Sequence, residues 1–163
     1  YYSDLKVRQD KGITPYNLRN CAYLEDFEKS KIIFNKASRV NAFYLDDKGK
    51  YYGDVTIYIL SAEKLHYLLA ILNSKMFYFA YNKFYAGGGI EGELTIFTLE
   101  NFPIPEVDKK TEKEIINLVE KVIEGKEKGT DTRELEGEID KIVYELYNLN
   151  ENEIKIIEGK DWI

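Results

Sequence analysis

A chain of 163 residues is long enough to bury one hydrophobic core and carry a helical extension. Its 44% hydrophobic and 32% charged residues exclude an intrinsically disordered chain. A single cysteine, Cys21, excludes an internal disulfide, and no apolar run reaches the roughly twenty residues that a membrane-spanning helix needs.

The net charge of −6 argues against a nucleic-acid partner, but the charge is unevenly spread. Residues 1–90 hold 13 Lys and Arg against 9 Asp and Glu, whereas residues 91–163 hold 10 against 20. A mildly basic face can neutralise phosphates while an acidic extension points away from them. Because the chain starts at Tyr1 and its one methionine is Met76, it is expected to be a piece of a longer, soluble, cytoplasmic polypeptide.

Residues 1–30 read as irregular, broken at Lys11-Gly12 and Thr14-Pro15. Lys31-Ile32-Ile33-Phe34 is a short β-prone run. Val40 to Leu45 and Lys50-Tyr51-Tyr52 flank the turn signal Asp46-Asp47-Lys48-Gly49, which predicts a β-hairpin. Asp54 to Leu60 alternates, with Val55, Ile57 and Ile59 on the side expected to be buried.

Ser61 can cap the next helix, where Leu65, Leu68, Leu69 and Leu72 recur at helical spacing. Asn73-Ser74 interrupts it, and Lys75 to Tyr85 continues as a second, aromatic-rich helix. Gly87-Gly88-Gly89 breaks the chain, Glu93 to Phe97 reads as strand, and Pro103 and Pro105 close the unit.

Beyond Pro105 the composition turns to Glu, Lys and Ile. Thr111-x-x-Glu114 predicts a capping box for a helix with Ile115, Leu118, Val119 and Val122 on one face, ended by Gly125 and Gly129. Asp131-x-x-Glu134 opens another, with Leu135, Ile139, Ile142, Val143 and Leu146 aligned, and Asn150-x-x-Glu153 opens a short third. A pair of helices joined by a short glycine-containing loop is the economical arrangement.

Three patterns mimic catalytic sites in the wrong context. Gly87-x-Gly89-x-x-Gly92 fits a dinucleotide fingerprint but lacks the preceding strand and following helix that cradle phosphates. Glu124-Gly125-Lys126 and Glu158-Gly159-Lys160 echo half of a metal-dependent nuclease site, yet sit where helices are expected to end. His66 is the one histidine and reads as structural.

Several segments fall in a telling order: Tyr16-Asn17-Leu18-Arg19, Lys31-Ile32, Asp46-Asp47-Lys48-Gly49, Asp54 to Leu60, Ile71-Leu72-Asn73-Ser74-Lys75-Met76 and Phe102-Pro103-Ile104-Pro105. Together they resemble the TaqI-like C-terminal specificity domain, the DNA target-recognition module of N6-adenine DNA methyltransferases and of restriction enzymes fused to them. Ile139-Asp140-Lys141-Ile142-Val143-Tyr144-Glu145-Leu146-Tyr147 looks like the Asp-x-x-Val-Tyr-x-Leu-Tyr signature that often ends these enzymes. Ile71 stands where the family usually has leucine.

The expected fold is α+β, mixed α/β with a small, largely antiparallel sheet and packed helices, followed by a C-terminal helical hairpin. Residues 1–107 would form the target-recognition domain and 108–163 the helical tail. The resemblance implies double-stranded DNA as partner and a catalytic methyltransferase domain in the same polypeptide. It implies S-adenosylmethionine as cofactor of that parent enzyme, with no cofactor, metal or catalytic residue in this fragment.

The motif residues themselves read as architectural, so specificity is expected in polar residues on loops presented by the sheet. Arg19 and Arg39 suit guanine, and Asn17, Asn35 and Asn41 suit adenine. Lys36 and Lys83 suit phosphates. Ser38, Tyr51, Tyr52 and Tyr85 complete the set, with at least one of Tyr51 and Tyr52 expected in the core because neighbours on a strand face opposite ways. The rival expectation is a protein-interaction module docking through the acidic helices; a self-contained hydrolytic domain finds no constellation to support it.

Overall fold

The computed structural model of the chain describes residues 1–9, 12–17, 24–35, 42–54, 56–85, 94 and 96–159. The α+β expectation holds: a three-stranded antiparallel sheet is combined with helices that dominate the second half. The N-terminal stretch is more regular than its breakers suggest, with α1 at Tyr2–Val7 and a 3-10 helix at Leu24–Glu28.

Strand β1 (Lys31–Asn35) lies at the centre, between β2 (Phe43–Asp46) and β3 (Ile57–Leu60). Ile32 pairs with Leu45 on one side and Leu60 on the other, and Phe34 pairs with Phe43 and Tyr58. Directly opposed residues share a face, so these six side chains form the inner layer. Two expectations are corrected here. The hairpin does not span Asp46 to Gly49: β2 pairs with β1, and residues 50–54 are not strand. The amides of Lys50 and Tyr51 donate to the Asp46 carboxylate, at 3.0 and 2.9 Å, and are thereby diverted from a ladder.

The alternation of the third strand has the right period but the opposite phase. Tyr58 and Leu60, not Ile57 and Ile59, pack against the core. Asp54 accepts from the amide and hydroxyl of Thr56, a local turn that delays the strand to Ile57 and lets the register with β1 decide the face.

Helix α2 (Leu65–Asn73) covers the inner layer and is buried on almost every side, with Leu65, Tyr67, Leu69, Ala70, Ile71 and Leu72 enclosed. Ser61 does not cap it; the N-cap is Lys64, without a side-chain bond, and Ser61 lies three residues upstream in open chain. The Asn-Ser break then joins three parts of the fold. Asn73 Nδ2 donates to the Phe43 carbonyl at 3.0 Å, while its Oδ1 accepts from the Phe43 amide at 3.2 Å, tying α2 to β2. Ser74 caps α3 (Lys75–Ala80) by accepting from the Phe77 amide at 3.2 Å. A π-helical turn at Tyr81–Tyr85 extends α3.

Of the strand expected at Glu93 to Phe97, Glu93 and Thr95 lie outside the described residues, while Ile96 and Phe97 open α4 (Ile96–Asn101) instead. Thr98 and Phe102, four residues apart, are buried, a helical spacing that overrides the local alternation. The next helix, α5 (Lys109–Glu127), starts one turn before the expected box. Its N-cap is Asp108, which accepts from the amides of Lys110 and Thr111, and Gly125 lies within it. Helix α6 (Arg133–Leu146) follows Thr132 rather than Asp131, whose carboxylate instead grips Arg133. Helix α7 (Glu151–Glu158) opens with the expected Asn150–Glu153 box.

The C-terminal helices share the core of the sheet. α5 packs on α2 and α6, and both α6 and α7 pack on α3. Ile115, Leu118, Val119, Ile139 and Val143 join the same buried cluster as Ile32, Phe34 and Phe77. Aromatic rings run through it: Phe34 to Phe43 at 5.2 Å, Phe43 to Phe77 at 5.7 Å, Phe77 to Phe102 at 4.7 Å, and Phe102 to Tyr147 at 6.3 Å.

Candidate nucleic-acid interface

Because α2 fills the inner side of the sheet, residues of opposite parity point outward. These are Lys31, Ile33 and Asn35 on β1, Tyr44 and Asp46 on β2, and Ile57 and Ile59 on β3. Tyr44, Ile33 and Ile59 align across the three strands, and Tyr44 is 65% exposed. Asn35, at the end of β1 opposite Ile57, is exposed.

The Lys31 end of this face is closed. Lys31 is wholly buried and Asp46 is 3% exposed. The Lys31 ammonium lies 2.5 Å from an Asp46 oxygen and also donates to the Phe27 carbonyl at 2.5 Å. Burial pushes the Asp46 carboxyl up, but the Lys31 ammonium and the amides of Lys50 and Tyr51 more than offset it and hold the group at about 2. Beyond the pair, the loop at 47–52 returns against the 3-10 helix. Tyr52 stacks on Phe27, with ring centres 5.3 Å apart.

Tyr51 and Tyr52 are 65% and 57% exposed, so neither belongs to the core. The expectation that one would be buried assumed a strand at 50–52, and the Asp46-centred turn removes that strand. Asn17 is exposed in a turn of its own, where its carbonyl accepts from Arg8 at 2.7 Å and its side chain accepts from Thr14. Tyr2 and Tyr16 stack nearby at 5.7 Å.

Lys83 is exposed on the π-helical turn, but Tyr85 is half-buried against Phe102, at 5.9 Å, among the core rings. Tyr85 is therefore placed with the core and not with the exposed tyrosines of the sheet. Arg19, Lys36, Ser38, Arg39 and Asn41 lie outside the described residues, as does the Gly87–Gly92 pattern. Glu124 and Lys126 are taken up in ion pairs with Lys128 and Glu136, as a solvated helix surface requires.

Two features escaped the sequence reading. Tyr44 could have been found from its neighbour, since Phe43 is core and alternation sends the next residue out. The Lys31–Asp46 pair carries no local signal, because its members are 15 residues apart and meet only across the strands.

The segments in the telling order now have physical roles. Asn73 and Ser74 make the break described above, and the Lys75 amide donates to Asp140 at 2.9 Å while its ammonium lies 3.4 Å from Asp140 and 3.3 Å from Glu158. The Tyr67 hydroxyl donates to the Pro105 carbonyl and the Tyr147 hydroxyl to that of Pro103, each at 2.7 Å. Residues 4–104 match the family of TaqI-like C-terminal specificity domains.

The chain belongs to that family. The TaqI-like specificity domains are DNA sequence-specificity domains of restriction-modification enzymes. In this TaqI-like domain the matching residues build the scaffold, and helices α5 and α6, beyond the matched stretch, complete its core. Burial pushes the Asp140 carboxyl above its usual range despite the Lys75 amide and ammonium, which pull it down. Among the described residues no helix is long and apolar enough to cross a membrane.

Proposed function

We propose that this chain is the DNA target-recognition domain of a cytoplasmic restriction-modification enzyme whose catalytic part methylates adenine at N6. The function of the 1–107 unit is to read the site and that of the 108–163 tail is to support it. The catalytic methyltransferase domain of the same polypeptide would use S-adenosylmethionine, with the target adenine extruded from the duplex toward it. A nuclease joined to that parent would cut where this domain reads.

The observation that supports this best is the sidedness of the sheet. Its inner layer is filled by α2, while its outer face and adjoining loop present Asn35, Tyr44, Tyr51 and Tyr52 to solvent. Rigid tyrosines and amide side chains suit contact with a duplex, where hydroxyls reach phosphates and amides reach adenine edges. Arg19, Lys36, Ser38, Arg39 and Asn41 join the contact set on their chemistry, and Lys83 adds a cation. The rival docking role for the acidic helices gains no support from the two long ones, since the apolar faces of α5 and α6 are spent in the core.

The test selects a randomised duplex pool on the intact parent enzyme and follows transfer of labelled methyl groups from S-adenosylmethionine. The expected result is one enriched site, methylated on adenine, with affinity falling steeply as salt rises. Binding that is absent or indifferent to salt would reject the proposal.

A further inference from the structure

The buried ion pair lies on the outer side of the sheet, opposite the apolar core. Its hydrogen bonds run instead to the two segments that flank the exposed tyrosines. Lys31 donates to Phe27 and Lys29 carbonyls, at the end of the 3-10 helix, and Asp46 accepts from the amides of Lys50 and Tyr51. Ser30 donates to Asp47 at 3.1 Å, linking the same two segments again.

Gly49 closes the arrangement. Its φ is +60°, and a Cβ placed there would lie 2.0 Å from the Glu28 carbonyl oxygen. The turn thus rests backbone to backbone on the 3-10 helix, a contact that any side chain would break. Phe27 then supports one face of the Tyr52 ring, at an interplanar angle of 16°.

We propose that Lys31 and Asp46 are positioning residues for target recognition: they hold the 47–52 loop so that Tyr51 and Tyr52 meet duplex DNA as a preformed reading element. This inference rests on the DNA-reading function proposed above. Contacts held before binding lose less conformational freedom when they engage, which converts directly into affinity for the correct site. The same geometry removes Lys31 from the phosphate contacts its charge would suggest, since its ammonium is enclosed and engaged within the protein.

The test uses the intact parent enzyme, the duplex site enriched from a randomised pool, and an unselected duplex of equal length. Three variants are compared: Tyr51→Ala/Tyr52→Ala, Lys31→Met/Asp46→Leu and Phe27→Leu. The paired apolar replacement avoids stranding one buried charge. The tyrosine and ion-pair variants are each expected to bind the selected site about tenfold less tightly, with binding to the unselected duplex within about twofold. Phe27→Leu, which lies outside the core cluster, should cost about threefold at the selected site with an unchanged melting temperature.

Undiminished selected-site affinity in a folded Lys31→Met/Asp46→Leu protein overturns the positioning role. If that variant does not fold, Phe27→Leu decides in its place. Undiminished affinity in the tyrosine variant overturns the proposal while leaving DNA reading intact. A wild-type enzyme that enriches no site overturns the reading itself, and the proposal with it.

Discussion

Asp46 and Asp140 are both buried carboxylates beside a lysine, yet their environments act in opposite directions. Asp46 is held at about 2 by Lys31 and two amides, below its ordinary value of about 3.9, so the stability it lends is present above that ordinary value. That contribution is lost as pH falls from about 4 toward 2. Burial raises Asp140 instead, so its charged form is disfavoured in the fold and stability is gained as pH falls through the raised value. Urea titrations at pH 5, 4 and 3 should therefore show a falling midpoint that Asp46→Asn flattens and Asp140→Asn steepens. At neutral pH, Asp46→Asn leaves Lys31 enclosed beside a neutral amide and should cost about 3–5 kcal/mol, part of it recovered in Lys31→Met/Asp46→Leu, which strands no charge but gives up the bonds to the Lys50 and Tyr51 amides.

The buried phenols govern the alkaline limb. Burial pushes Tyr67 up to about 12, with the nearby Glu112 charge adding to it, and raises Tyr144 and Tyr147 as well. Stability tied to these groups is whole below the ordinary tyrosine value of about 10 and is lost as pH climbs above it. An ultraviolet titration should show exposed tyrosines ionising first and a second set ionising only as the chain unfolds. A single smooth transition for all fourteen tyrosines would contradict this placement. At this scale, residue type alone announced the architectural role of Asn73 and Pro103. It did not announce Asp46, whose partner comes from another strand.

Between secondary-structure elements, the Asn-Ser-Lys junction is where local rules and tertiary packing agree. Asn73 replaces one edge of a ladder by pairing with both polar groups of Phe43, and Ser74 supplies the cap of α3. Ser74→Ala should cost about 1 kcal/mol, and Asn73→Ala about 1–2 kcal/mol, as read from thermal melts. Helical periodicity was legible in α2, α5 and α6 because their apolar stripes are long. The segment opening α4 was misread because its few residues satisfy both an alternating and a helical pattern. The third strand was misread by one residue in phase, since only pairing with β1 sets which face turns inward. The exposed tyrosines were legible as candidates, but their shared loop was not, because a turn built on a carboxylate looks like a hairpin in sequence.

For the molecule as a whole, the sheet cannot close its core without the helices that follow. The matched stretch ends at residue 104, while Ile115, Leu118, Val119, Ile139 and Val143 complete the cluster begun by Ile32 and Phe34. A fragment of residues 1–107 should therefore show weak, non-cooperative thermal unfolding by circular dichroism. The full chain should melt in one transition. Cooperative melting of the short fragment would mean that the recognition unit stands without its tail.

The reach of Lys75 has a consequence for biosynthesis. Its amide waits for Asp140, 65 residues further on, and its ammonium for Glu158, 83 residues further on. Until the ribosome has released α6 and α7, the break that anchors β2 has no partner on its far side. The scaffold behind the sheet is thus completed late, only once the segment from Asp140 to Glu158 has cleared the exit tunnel.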